Sequence, residues 1–89
     1  MTVSETNREI LDRLRASVTA FTHGEADLDF LQAALQSAMG LLENDGSGAE
    51  KAVRLAEADV EEIRFTRLLD EQRPAVIFRL DELLEQLPG

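Results

Sequence analysis

Apolar residues recur along most of the chain with the spacing of amphipathic helices. In the first segment Leu11, Leu14, Val18 and Phe21 fall on one helical face. No stretch shows the alternation of apolar and polar residues that is typical of a half-buried strand. The later stripes are Leu28, Leu31, Leu35, Met39 and Leu42; Val53, Ala56, Val60 and Ile63; and Val76, Leu80, Leu83 and Leu87. The pattern predicts an all-α fold of four helices.

Turn residues separate these stripes and predict where each helix begins and ends. Pro74 separates the third helix from the fourth, because proline cannot donate a backbone hydrogen bond and favours the first position of a new helix. Short connections imply antiparallel neighbours, and hence an up-down bundle. The predicted helices span about 4–22, 26–44, 48–72 and 75–87, in one domain of residues 1–89.

Capping residues support these boundaries. Thr6 with Glu9, and Ser47 with Glu50, match the capping box, in which a hydroxyl and a carboxylate satisfy free backbone donors at a helix start. Gly24 is expected to end the first helix in a left-handed conformation.

Composition narrows the class of protein. The 89 residues are 44% apolar and 30% charged, which favours a folded core over disorder. There is no Cys, so a disulfide scaffold and a thiolate metal site are excluded. Residues 1–7 lack the pattern of a signal peptide, and no apolar run is long enough to span a membrane. We therefore expect a cytoplasmic protein.

Charge is unevenly distributed along the chain. The net charge is −9, and residues 24–50 hold six acids with no basic residue. Such a negative field repels nucleic acids and anionic lipids and attracts basic surfaces. The expected partner is therefore a basic protein, and neither nucleic acid nor membrane.

Known catalytic and metal-binding patterns are missing from the sequence. His23 is the only histidine, so we interpret it as structural or solvent-exposed. Residues 43–48 resemble the start of a calcium loop, but Arg54 stands where the bidentate glutamate belongs. That stretch is interpreted as a turn and helix cap. We predict a non-enzymatic protein without metal or cofactor.

Acidic residues are the main candidates for partner binding. The densest cluster has two interpretations: a solvated helix face, or a patch that faces a partner. Asp27 and Asp29 form a second candidate patch, and Asp27 is also a good N-cap. The cluster consists of Glu57, Asp59, Glu61 and Glu62.

Three apolar residues lie partly off the main stripes. Phe65, Ile77 and Phe78 are expected to fill the end of the bundle near Pro74; the alternative is an exposed patch for self-association. The predicted third helix is about twice as long as the fourth, which would leave part of it uncovered in a monomer. This mismatch favours a partner or a homodimer.

Size, helical pattern, the acidic stretch from Glu25 to Glu50 and the cluster from Glu57 to Glu62 together resemble one known family. The chain is similar to the small acidic helical immunity proteins that bacteria pair with nuclease bacteriocins and contact-dependent toxins. The resemblance implies a bacterial inhibitor that places carboxylates against the basic substrate-binding surface of a nuclease-type toxin. Members that inhibit DNases use exposed tyrosines as anchors, and this chain has no tyrosine.

The sequence therefore supports two functional hypotheses. The first is a protein-binding module, of the immunity or antitoxin type, that occludes a basic surface of its partner. The alternative is a structural or adaptor bundle that self-associates without inhibiting anything.

Overall fold

The computed structural model describes residues 3–88 and folds them into four α-helices. No β-strand occurs within this range. The single-domain prediction for residues 1–89 also includes Met1, Thr2 and Gly89, which lie outside the described residues. The prediction that residues 1–7 are not a signal peptide likewise includes Met1 and Thr2. The helices are α1 (Glu5–Thr22), α2 (Leu28–Leu41), α3 (Ala49–Thr66) and α4 (Leu69–Gln86). The prediction of an all-α protein with four helices is confirmed.

The predicted apolar stripes form one hydrophobic core. Leu28, Met39 and Ile63 are half-buried against it, and the other stripe residues are buried. Burial of a leucine or valine side chain contributes roughly 1.5–3 kcal/mol, so these stripes supply most of the driving force for folding. The buried stripe residues are Leu11, Leu14, Val18, Phe21, Leu31, Leu35, Leu42, Val53, Ala56, Val60, Val76, Leu80, Leu83 and Leu87.

Each helix packs mainly against its neighbours in the chain. Contact is extensive between α1 and α2, between α2 and α3 and between α3 and α4, and much sparser between α1 and α4. The sparse side is bridged by two arginines. Arg73 of α4 donates to the carbonyl of Phe21 and lies over its ring, and Arg15 of α1 donates to the carbonyl of Pro88 at 2.7 Å.

The ends of α1 follow local hydrogen bonding. The predicted capping box at Thr6 is wrong, because the helix begins two residues earlier with Ser4 as N-cap, whose hydroxyl accepts from the amide of Asn7 at 3.1 Å. The prediction for Gly24 is confirmed by its φ of 79°. The amides of Gly24 and Glu25 donate to the carbonyls of Phe21 and Ala20, which is the Schellman pattern of helix termination.

The connection between α2 and α3 is a turn, as predicted, but its cap differs. Gly48 is the N-cap of α3 and adopts φ 83°, and it has no side chain to cap the helix; the Ser47 hydroxyl accepts from the amide of Ala49 at 3.3 Å but makes no bond to Glu50. The capping box of Ser47 with Glu50 is therefore wrong. Ser47 instead donates its hydroxyl to Asp45 at 2.5 Å, and Glu50 pairs with Arg54 one turn further along α3.

The predicted boundary at Pro74 is wrong. The third helix ends at Thr66 rather than near residue 72, and the fourth begins at Leu69. Pro74 lies inside α4 as its sixth residue. Proline is tolerated there because Pro74 and Asp70 are exposed, so water can solvate the Asp70 carbonyl that receives no hydrogen bond from Pro74.

The break between α3 and α4 is made without glycine or proline. Arg67 and Leu68 adopt extended conformations, with ψ near 149° and 152°. Gln72 supports the break, because its side-chain amide lies 3.2 Å from the carbonyls of both Arg64 and Arg67 at the end of α3. Since α3 and α4 each have 18 residues, the expected length mismatch between them is absent.

Among the residues that the structure describes, Asn7 is the one polar residue that is buried. Its Nδ2 donates to the carbonyl of Glu43 at 2.8 Å, and its Oδ1 accepts from the amide of Glu43 at 2.7 Å. Close by, the amide of Ser4 donates to Asp45 at 2.8 Å. These bonds fasten the start of α1 to the segment that follows α2.

We expect Asn7→Ala to lower the free energy of unfolding by about 1–3 kcal/mol, because it removes both hydrogen bonds to the backbone of Glu43, each of which contributes about 0.5–1.5 kcal/mol. Asn44→Ala is the matched control. Asn44 is exposed, so its replacement should change stability by less than about 0.5 kcal/mol. Urea denaturation followed by circular dichroism measures both. Equal effects of the two substitutions would contradict the assigned role of Asn7.

We expect Pro74→Ala to raise the free energy of unfolding by about 1–2 kcal/mol. Alanine restores the hydrogen bond to the Asp70 carbonyl and has a much higher helix propensity, which outweighs the larger entropy of the unfolded chain. The same denaturation measurement applies. A loss of stability would show that Pro74 ends a helix rather than lying within one.

Candidate functional site

Two of the six candidate binding carboxylates take part in local structure at the start of α2. Asp27 is the N-cap, as predicted, and its Oδ1 accepts from the amide of Phe30 at 2.8 Å. Asp29 pairs with Arg64 of α3 at 2.7 Å, although its side chain is 77% exposed. Such an exposed pair contributes at most about 1 kcal/mol. Both carboxylates are therefore engaged by other residues of the chain.

Glu57 belongs to a polar seam between α2 and α3. Its carboxylate accepts from the side-chain amides of Gln32 at 3.2 Å and Gln36 at 3.3 Å. Gln32 in turn accepts from Arg64 at 2.5 Å, so Asp29 and Glu57 are joined through one hydrogen-bonded chain. The seam holds α2 against α3 and engages one carboxylate oxygen of Glu57, Oε2.

Asp59 points to the other side of α3 and pairs with α4. Its Oδ2 accepts from Nε of Arg79 at 2.6 Å, and the Arg79 side chain is only 15% exposed. One guanidinium nitrogen of Arg79 is buried and has no hydrogen-bond partner within residues 3–88. The pair neutralises the charge of Asp59 between the two helices.

Glu61 and Glu62 are the two candidates that remain available. Both are exposed, and no ion pair to either is found among the described side chains. The four residues of the predicted cluster do not lie on one face of α3. Glu61 lies one turn from Glu57 on the side that faces α2, whereas Glu62 lies with Asp59 on the side that faces α4. The cluster is therefore divided between two sides of α3.

An open groove runs along the outer side of α3 and α4. We name it the α3–α4 groove. It differs in charge from a smaller hollow between α1 and α2, whose lining includes one charged residue, Arg13. The groove is open to solvent, has a volume of about 730 Å³ and is lined by Asp59, Glu62, Ile63, Thr66, Arg67, Asp70, Glu71, Pro74, Ala75, Phe78, Arg79 and Glu82.

The lining of the α3–α4 groove divides into an apolar part, which we name its floor, and a set of carboxylates. Ile63, Ala75 and Phe78 provide apolar surface, and Phe78 is 70% exposed. Five carboxylates and two arginines line the groove, and only Asp59 and Arg79 are paired within the described part of the chain. The groove therefore combines exposed apolar surface with an excess of negative charge, which is the combination that a basic amphipathic ligand requires.

The three candidate residues for self-association are separated by the fold. Phe65 is 82% exposed and Phe78 70% exposed, so the expectation that they fill the end of the bundle is wrong. Ile77 packs against the core. Phe78 lines the groove and Phe65 does not. Phe65 and Phe78 are exposed because their positions around α3 and α4 place them on faces other than those of the buried stripes.

Sequence analysis missed the groove residues of α4. Asp70, Glu71 and Glu82 line the groove, and the assumed helix boundary at Pro74 placed the first two outside the fourth helix. With the helix begun at Leu69, residues 71, 74, 75, 78 and 82 fall on one face by spacing alone. Two acids in the first turn are also typical of a helix start, and this signal was present in the sequence.

The carboxylate of Asp45 organises the loop after α2 through hydrogen bonds. Asp45 accepts from the hydroxyl and amide of Ser47, at 2.5 and 2.9 Å, and from the amide of Ser4. The Ser47 hydroxyl is the main cause that lowers the pKa of the Asp45 carboxyl far below its ordinary value of 3.8, and the two amides add to it. Across residues 3–88 no three acidic or histidine side chains converge in a way that could hold a metal ion. His23 is exposed at the end of α1.

Comparison with known proteins gives no relative. No protein-family model, curated protein or solved structure matches the chain at a significant level. Among the described helices, none combines the length and apolar character needed to cross a membrane.

We expect Asp45→Asn to lower the melting temperature at pH 6, because the amide accepts these hydrogen bonds less well than a carboxylate. A lowered folded-state pKa stabilises the fold above the unfolded value of 3.8, and this stabilisation is lost as the pH falls toward the folded value. The gap between wild type and variant should therefore stay constant above about pH 5 and shrink below pH 3.8. Thermal melts across this range measure it; a constant gap throughout would contradict the assignment.

Proposed function

We propose that this chain is a protein-binding module that holds a basic partner on the outer surface of α3 and α4. In this proposal it acts as an inhibitor of the immunity or antitoxin type and occludes a basic surface, such as the substrate-binding surface of a nuclease-type toxin. The protein works in the cytoplasm and contributes no reactive group of its own.

The observation that carries the proposal is that the carboxylates of this surface, apart from Asp59, have no ion-pair partner among the described residues. Glu62, Asp70, Glu71 and Glu82 line the groove, Glu61 lies on the α2 side of α3, and none of the five has an ion pair among the residues described. Unpaired like charges on one surface repel each other, and a basic partner removes that repulsion. Charge complementarity of this kind speeds association and fixes the orientation of the partner.

The proposal includes an up-down antiparallel order of the four helices. Long-range contacts support this order. Asn7 near the start of α1 contacts Glu43 just after α2, and Asp29 at the start of α2 contacts Arg64 near the end of α3. Gln72 near the start of α4 contacts the carbonyl of Arg64 as well. In each pair the start of one helix meets the end of another, as antiparallel packing requires.

A second candidate function is self-association as a structural or adaptor bundle. Phe65, Leu68 and Leu69 favour it, because they are 68–84% exposed and lie together where α3 turns into α4. Exposed apolar side chains close together in the chain are typical of an interface. The equal lengths of α3 and α4 remove the other argument for a dimer.

We expect the chain, immobilised and exposed to the proteins of its own cell, to retain a basic protein that elutes as salt rises from about 50 to 300 mM. Glu61→Lys with Glu62→Lys should abolish retention, because reversal replaces attraction by repulsion. Glu9→Lys with Glu25→Lys is the matched control, since both residues are exposed and lie outside the groove. The control should retain the partner.

The purified pair should then show the same salt dependence in isothermal titration calorimetry. Salt-independent binding, or equal loss in both double variants, would reject the proposal. A dimer of the isolated chain in sedimentation equilibrium that Phe65→Ser converts to a monomer would favour the second candidate instead.

A further inference from the structure

We infer that the occupant of the α3–α4 groove is an amphipathic α-helix of the partner, about three turns long, with an apolar stripe between basic side chains. This inference rests on the proposed function and names the kind of partner segment that the groove accepts. Four properties of the groove lead to it: its walls, its length, its floor and its charge.

The walls of the groove favour a helix over an extended peptide. Both walls are α-helices, whose backbone groups are bonded within α3 and α4 apart from the helix ends and the Asp70 carbonyl, and no sheet edge is available in residues 3–88. An extended segment would leave its own amides and carbonyls without partners against this apolar floor. A helix satisfies its backbone internally and presents only side chains, which is how helix-in-groove recognition works.

The length of the groove sets the length of the ligand. Along α4 the lining residues run from Asp70 to Glu82, a separation of twelve residues. At about 1.5 Å per residue the groove is roughly 18 Å long. A helix of about twelve residues, or a little over three turns, spans the same distance.

The floor offers a defined place for an apolar anchor. Ile63 of α3 and Phe78 of α4 line the groove from opposite helices, and the small side chain of Ala75 lies one turn before Phe78. Small residues let a neighbouring helix approach closely, and an exposed aromatic ring supplies a large apolar contact. Phe78 is therefore expected to be the central contact for the stripe of the partner helix.

The charges of the two walls define the flanks of the ligand. Glu62 stands on the α3 side, and Glu71 and Glu82 stand on the α4 side. Lysine or arginine residues on both flanks of an apolar stripe would meet these carboxylates. Within α4, Pro74 also leaves the Asp70 carbonyl without its usual helical donor, so this acceptor is available to a basic side chain.

A second copy of this chain does not fit the groove. Each of its four helices already buries its apolar stripe in the core, so residues 3–88 hold no free amphipathic helix to offer. Face-to-face pairing of two α3–α4 grooves would also bring like charges together. The occupant is therefore a segment of a different, basic protein.

The test uses the full chain and a synthetic, fluorescently labelled peptide of about fourteen residues, with leucines at i, i+4, i+7 and i+11 and lysines beside them. A second peptide has the same composition in an order that destroys the stripe. Fluorescence anisotropy gives the dissociation constants, and circular dichroism follows the helicity of the peptide. We expect the striped peptide to bind at least about tenfold more tightly and to gain helicity on binding.

Matched variants locate the binding site. Phe78→Ala should weaken binding of the striped peptide about tenfold or more, whereas Phe65→Ala, at a similarly exposed phenylalanine outside the groove, should change it less than about twofold. Glu71→Lys with Glu82→Lys should weaken binding more than the control pair Glu9→Lys with Glu25→Lys. All six residues are exposed, so each variant is expected to fold. Thermal melts check that it does.

Several outcomes would overturn the inference. These are equal affinity for the two peptides, binding without gain of helicity, equal effects of Phe78→Ala and Phe65→Ala, or a self-associated chain that excludes the peptide. If these occur while the chain still retains a basic cellular protein through Glu61 and Glu62, the proposed function stands and only the helical nature of the ligand is rejected.

Discussion

The two hydrogen bonds between the Asn7 side chain and the backbone of Glu43 determine how the rest of the molecule is put together. Apolar packing of leucine and valine side chains is non-directional, so it specifies the alignment of α1 along α2 less strictly than directional hydrogen bonds do. A buried amide that must meet one particular backbone position removes this freedom. With α1 fixed in this way, the loop after α2 is held by Asp45, and that loop sets where α3 begins.

Periodicity in the sequence was enough to predict the four helices and nearly all of the core, because burial depends on which face a residue occupies, and spacing determines the face. Prediction failed where tertiary contacts outweigh local preference. Nothing in the local sequence reveals that Gln72 supports a break at Arg67 and Leu68. Pro74 is a strong local signal, yet exposure makes it acceptable inside α4.

The candidate site was predicted only in part, for a related reason. A sequence shows which residues are acidic but does not show which of them find partners elsewhere in the fold. Glu57 and Asp59 are bonded to residues twenty or more positions away, and those contacts divide one apparent cluster between two sides of α3. Glu62 remained available, and its neighbours in the groove come from α4, whose start had been misplaced.

The sparse packing between α1 and α4 gives the bundle an uneven distribution of stability. Loss of the few contacts between α1 and α4, among them those of Arg15 and Arg73, leaves the extensive packing of α1 on α2, α2 on α3 and α3 on α4 in place. Such a boundary favours subglobal opening, in which one unit detaches while the others stay folded. Because a ligand in the α3–α4 groove binds across a different pair of helices, its binding is compatible with this opening.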